Sequence, residues 1–206
     1  MNSDKIILDL CGGTGAWSKP YKDAGYDVRL ITYPEHDVRE WAHREWGQVV
    51  RSGEVYGILA APPCTMFSIA RSTGGKRDFQ GAMSVVDACR DIVKWSLIKA
   101  YEKNRYAHFK FWALENPRGY LDKFIGRPAY SFSPWEFGDP YFKQTHLWGY
   151  FNPPVKTPGK KPEKFDRVAW ASPKAPEEYK HLKLDRAGIR AITPKGFTEA
   201  FFRANR

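Results

Sequence analysis

Cysteine is scarce in this chain: three in 206 residues, at Cys11, Cys64 and Cys89. An odd, widely spaced set with no CxxC pair and no His/Cys cluster argues against a disulfide framework and a structural zinc site, and it fits a reducing compartment. Long apolar runs are missing too. Nothing approaches the length of a membrane span, and no N-terminal stretch has signal-peptide dimensions, so a soluble, cytoplasmic protein is expected. Internal repeats are absent. Acidic residues are the minority: 23 Asp and Glu face 33 Lys and Arg, a net charge of +10. That balance fits a polyanionic partner, although a merely basic surface gives the same number. Aromatics, by contrast, are plentiful at 16% with eight Trp, and flat side chains serve cores and base stacking equally well. The length suits one domain with a sizeable core and a small appendage.

Residues 5–10 (KIILDL) read as a short apolar strand and 11–15 (CGGTG) as a glycine-rich turn. Residues 16–24 read as a helix, provided Pro20 falls in its first turns, and 27–33 (DVRLITY) as a second strand. Strand, glycine loop, helix, strand opens a doubly wound, mostly parallel α/β sheet of Rossmann-like type. A helix is expected over 38–46 and a buried strand over 55–61, stopped by Pro62-Pro63. Residues 65–84 read as a flexible basic loop carrying Arg71, Lys76 and Arg77. The 3.6-residue period over 84–104 predicts a helix with Cys89 on its core stripe. Strands are expected over 109–114 and 141–150. From 151 to 176 six prolines, Pro153, Pro154, Pro158, Pro162, Pro173 and Pro176, interleave with Lys156, Lys160, Lys161, Lys164 and Arg167, which predicts an extended basic excursion. An amphipathic helix over 194–205 closes the chain, with Phe197, Ala200, Phe201 and Ala204 on one side.

Three polar clusters stand at the ends of the expected parallel strands, where open α/β sheets bind ligands. The first, Asp9 to Gly15, has only Gly13 and Gly15 of a dinucleotide pattern, with Ser18 where a third glycine belongs; it also suits a sulfonium cofactor, or a plain tight turn. In the second, two prolines fix the exit of the strand and present Cys64. Free cysteines are mostly small buried hydrophobes, so Cys64 alone says little. The third cluster, Glu115-Asn116-Pro117, changes that: a thiolate can add to an electron-poor ring carbon while a neighbouring carboxyl shares a proton with the ring nitrogen that gains electron density.

These residues resemble the cytosine-C5 DNA methyltransferases, a family that uses S-adenosylmethionine. Asp9-Leu10-Cys11-Gly12-Gly13-Thr14-Gly15 is similar to the family's cofactor loop, and Asp37 to the acidic residue that accepts from the adenine amino group. Pro62-Pro63-Cys64-Thr65-Met66-Phe67-Ser68 resembles its Pro-Cys-Gln-x-Phe-Ser nucleophile motif, and Glu115-Asn116-Pro117 its Glu-Asn-Val. Gln144-Thr145-His146 stands where the family has Gln-x-Arg-x-Arg, and Arg190-Ala191-Ile192-Thr193-Pro194-Lys195 resembles its Arg-x-Leu-Thr-Pro-Arg segment. The resemblance implies catalytic roles for Cys64, Glu115, Asn116, Gln144 and His146. It implies S-adenosylmethionine contacts from residues 9–15, Trp17, Tyr33, Asp37 and Pro62, and no metal. Contacts to DNA are expected from Ser68, Arg71, Lys76, Arg77, Arg118, Lys160 and Lys161.

The chain departs from the family in several places. Cys11 replaces a phenylalanine, Thr65 a glutamine, and both arginines of Gln-x-Arg-x-Arg are absent. Only about forty residues stand where a target-recognition domain belongs, too few for a domain. The expected layout is a catalytic and cofactor-binding domain over 1–150, a basic excursion over 151–190, and a C-terminal helix over 191–206 packing back. The implied activity is methyl transfer to C5 of cytosine in DNA by a monomer of relaxed sequence preference, with duplex the expected form. The compact size suggests a phage or mobile element. The same chemistry on RNA, single-stranded DNA or a pyrimidine nucleotide, and an inactive nucleic-acid-binding module, are the alternatives.

Overall fold

A computed structural model describes residues 2–69, 71, 75–162 and 174–206. Lys164, Arg167 and Pro173, counted in the basic excursion, lie outside the described residues. Six strands form one mixed sheet: β1 (Ile6–Leu10), β2 (Asp27–Ile31), β3 (Val55–Ala60), β4 (Phe111–Pro117), β5 (Tyr130–Phe132) and β6 (Thr145–Tyr150), in the order β2-β1-β3-β4-β6-β5. The first four are mutually parallel, and β6 runs antiparallel to both neighbours. Among the described residues the helices are α1 (Lys19–Asp23), α2 (Gln48–Ser52), α3 (Phe79–Glu102), α4 (Leu121–Ile125), α5 (Arg186–Ala191) and α6 (Lys195–Ala204). None is long and apolar enough to cross a membrane, and the described residues hold no group of three His, Cys, Asp or Glu able to bind a metal.

Side-chain alternation along the strands builds a core on each face of the sheet. Leu8, Leu10, Ile58, Ala60 and Leu114 face one way, against Val86, Cys89, Ile92 and Val93 of α3. Ile7, Leu59, Phe111, Ala113 and Leu147 face the other, against Tyr21 of α1 and Phe197, Ala200 and Phe201 of α6. Both faces are therefore covered, as a parallel sheet requires. The chain leaves β1 towards β2 and returns on the other side of β1 as β3, so the winding reverses between β1 and β3; the Ala61 N–H donates to Leu10 O across that point (2.9 Å).

Several expectations change in detail. The helix of 16–24 shrinks to Lys19–Asp23, because a helix begun at Ala16 would need the N–H that Pro20 lacks. Residues 38–46 form two 3₁₀ turns, Val38–His43 and Glu45–Gly47; Asp37 accepts from the Arg39 N–H only two residues on (2.9 Å), which tightens the first of them. The basic loop is shorter than expected, since α3 starts at Phe79 with Asp78 as its cap, accepting from the Gly81 N–H at 2.8 Å. Strand β4 runs on through Glu115, Asn116 and Pro117, paired with Leu147, His146 and Thr145 of β6. Cys89 is a core residue as expected, 1% exposed.

Candidate active site

Register places the three polar clusters at one sheet edge. Leu10 pairs with Ala60, and Ala60 with Leu114, so the chain just past each of these residues, at Cys11, Ala61 and Glu115, emerges on one line. Beyond that edge opens a cleft of about 2950 Å³ whose walls include Cys11, Pro63, Cys64, Arg118, Lys143 and Arg190.

Short-range bonds hold the segment bearing Cys64. The N–H groups of Phe67 and Ser68 both donate to Cys64 O, at 3.0 and 2.8 Å. The buried Asn116 reaches from β4 and donates through Nδ2 to Pro62 O (2.9 Å). Tyr120 N–H donates to Phe67 O (2.9 Å), and Ser68 bridges to Gly119. Glycine is required there, because a Cβ at position 119 would lie 2.1 Å from Phe67 O. Arg77 completes the brace: its guanidinium donates to Met66 O (2.5 Å) and Ser68 O (3.0 Å) and lies over the Tyr120 ring at 4.9 Å. Where the sequence suggested a contact to DNA, the structure ties the Arg77 guanidinium to two carbonyls of its own loop and to the Tyr120 ring.

Cys64 and Glu115 share a partly buried, charged neighbourhood. Burial pushes the Cys64 thiol up; the positive charges of Lys143 and Arg190 pull it down, and Glu115 pushes it up further. Burial likewise raises the Glu115 carboxyl, opposed by Lys143, whose Nζ lies 3.9 Å from Glu115 Oε1. A carboxyl raised in this way keeps a proton to higher pH, and the two cations offset part of what burial does to the thiol without reversing it. Tyr141 feels the Glu115 charge and is itself raised by burial. Sequence reasoning missed Lys143 and Tyr141; the signal available was their two-residue spacing just before Gln144, which would put both on one face of the strand expected over 141–150.

The glycine loop is built on Asp9, which is fully buried. Ser18 Oγ donates to Asp9 Oδ2 (2.5 Å), and Gly12 passes so close above the carboxyl that a Cβ there would lie 2.4 Å from it. Asp9 therefore props the loop from beneath and does not face the cleft. Leu10 is core, and Trp17, 1% exposed, packs on Phe197 and Phe201, so both side chains are committed to the core and not to the cleft wall. Cys11, Gly13 and Gly15 turn the chain through positive φ of 55°, 56° and 72°. Gly13 N–H donates to Thr32 Oγ1 (3.2 Å), just past β2, and Thr14 Oγ1 accepts from Ala16 N–H (3.3 Å) within the loop itself. At the end of β2, Tyr33 is 76% exposed, and the carboxylate of Asp37 is held by Arg39, which lowers its pKa.

His146 is separated from Glu115 by the sheet. It pairs across the ladder with Asn116, so its ring shares the Asn116 face, beside Trp148 at 5.8 Å, while Glu115 points to the opposite face. A direct catalytic role for His146 is not compatible with that placement, and Asn116 serves as the tether to Pro62. Gln144 stands at the rim, its Oε1 accepting from Arg118 Nη1 (3.0 Å). Ser68 and Arg71 line the cleft and Lys76 is exposed beside it in sequence. Lys160 and Lys161 lie outside the lining; Lys161 sits over the Trp135 ring at 5.7 Å. Comparison of the chain with family models and with curated proteins finds no match.

Proposed function

We propose that the protein methylates C5 of cytosine in DNA, on a class I methyltransferase fold of Rossmann-like type. The observation that carries this reading is that Cys64, in the wall of a cleft that the glycine loop also reaches at Cys11, stands near enough to the largely buried Glu115 at the same sheet edge to feel its charge. The residues fit S-adenosylmethionine: the loop of residues 11–15 stands at the winding reversal, Tyr33 and Asp37 follow the neighbouring strand, and nothing lies within 4 Å of a Cβ built on Gly13. When bound there, S-adenosylmethionine supplies an electrophilic methyl group.

The chain's own residues do the rest. A cytosine swung out of its stack lies between Cys64 and Glu115. The Cys64 thiolate forms a bond to C6; the ring electrons move toward N3, which takes the proton held by Glu115, and C5 becomes nucleophilic. After C5 is methylated a water molecule takes the C5 proton, the C5–C6 double bond re-forms as the C6–S bond breaks and returns the Cys64 thiolate, and Glu115 recovers the N3 proton. The brace of Asn116, Arg77 and Gly119 keeps the sulfur on one trajectory. Affinity comes from phosphate contacts by Arg71 and Arg118 at the cleft, with the exposed Lys76 adding to the basic charge.

Incubation with a 5-fluorocytosine oligonucleotide and S-adenosylmethionine tests the reading. A denaturant-resistant protein–DNA adduct is expected, lost in Cys64→Ser, and bisulfite sequencing of DNA from expressing cells should report methylated cytosines. Full methyl transfer by Cys64→Ser, or adduct formation on RNA but not on DNA, overturns it.

A further inference from the structure

Lys143 is a confined cation at the cleft. In the chain it stands between the 3₁₀ turn Pro134–Phe137 and β6, and its side chain is only 16% exposed. Holding an ammonium there costs desolvation that must be offset by partners. Two are present: Nζ donates to Arg190 O of α5 at 3.2 Å, and it faces Glu115 Oε1 at 3.9 Å, the carboxylate side chain being 13% exposed. The second distance is longer than a hydrogen bond. Lys143 therefore attracts the carboxyl without occupying its hydrogen-bonding capacity, which stays available to another group. The same ammonium is close enough to Cys64 to oppose the effect of its burial.

The geometry points to Lys143 as the positioning residue of the Cys64–Glu115 pair: anchored on the Arg190 carbonyl, its ammonium orients the Glu115 carboxyl and supplies the positive charge against which the Cys64 thiolate forms. A lysine suits this task because its charge is compact and its stem flexible; a guanidinium would form a forked, short pair and tie up both carboxylate oxygens. The other charged and titratable groups facing the pair are Arg190, which acts on Cys64 with the same sign as Lys143, and Tyr141, which faces Glu115. The consequence for turnover rests on the methyltransferase reading; the effect on the thiol does not.

The test therefore uses the full chain without substrate. The rate of Cys64 alkylation by iodoacetamide is followed against pH, read by mass spectrometry of the Cys64 peptide, in the wild type, Lys143→Met and Lys143→Arg. In Lys143→Met the rate–pH curve should move to higher pH, with the rate at neutral pH falling roughly three- to tenfold, the size expected for loss of one nearby charge. Lys143→Arg should stay within about twofold of wild type, since the charge is kept. Should Lys143→Met not fold, Lys143→Gln, which retains a donor for Arg190 O, carries the same expectation. A purely structural role changes melting temperature and leaves the curve where it was; that result overturns the assignment. Because adduct trapping on DNA is read separately, failure here and failure of the methyltransferase reading are distinguishable.

Discussion

At the scale of single residues, burial reassigns side chains that sequence position would make ligands. Asp9 is the clearest case. Its desolvation pushes the carboxyl from the ordinary 3.8 to about 7, against the lowering effect of the Ser18 hydrogen bond. The folded chain thus holds a proton that the unfolded chain has released between those two values. The stability this gives is complete below about pH 4 and is lost as pH rises toward 7. Asp9→Asn removes the charge and keeps an acceptor for Ser18, so its melting temperature relative to wild type should rise between pH 5 and pH 8, by about 2 °C or more. A difference independent of pH would mean that Asp9 is ionised throughout. Nothing in a one-dimensional string says that Gly12 folds over this carboxyl, or that His146 and Glu115 fall on opposite faces, because both depend on which strand lies alongside.

Elements were legible where their periodicity was strong. The 3.6-residue pattern identified α3 and α6, and the apolar runs identified β1, β3 and the start of β4, since burial on both faces leaves no choice but a continuous hydrophobic run. Short pieces were not: β5 (Tyr130–Phe132) and α4 (Leu121–Ile125) are too brief to show a period, and they exist because β6 and the core hold them. Helix α6 shows the reverse dependence, an end segment that completes a core. Phe201 is fully buried, with its ring centroid 5.4 Å from that of Trp17, 5.8 Å from Phe111 and 5.6 Å from Phe151. Phe201→Ala should cost about 3–5 kcal/mol by urea unfolding, enough to threaten folding of the whole domain. A cost below about 1 kcal/mol would show that α6 is peripheral.

At the scale of the whole molecule, the excess of 33 basic over 23 acidic residues takes on meaning only through where the cations point. Binding to an oligonucleotide, followed by fluorescence anisotropy over a range of NaCl, should weaken steeply with salt. Arg118→Ala should reduce the slope by about 1, the change expected when a single phosphate is no longer neutralised at the exposed rim. Arg77→Ala should leave the slope unchanged even if affinity falls, because its guanidinium is committed to Met66 O, Ser68 O and the Tyr120 ring. Equal effects of the two substitutions would contradict that division. The sequence alone determined the α/β class, the helix faces and the three strand-end clusters, since these follow from local apolar periodicity and from prolines and glycines acting on their immediate neighbours. Only the tertiary structure decided which cations reach the cleft, that Lys143 and not His146 stands beside Glu115, and that Asp9 lies beneath its loop. Those outcomes depend on register across the antiparallel β4–β6 pair and on close passage of distant backbone, and neither leaves a periodic trace in the chain.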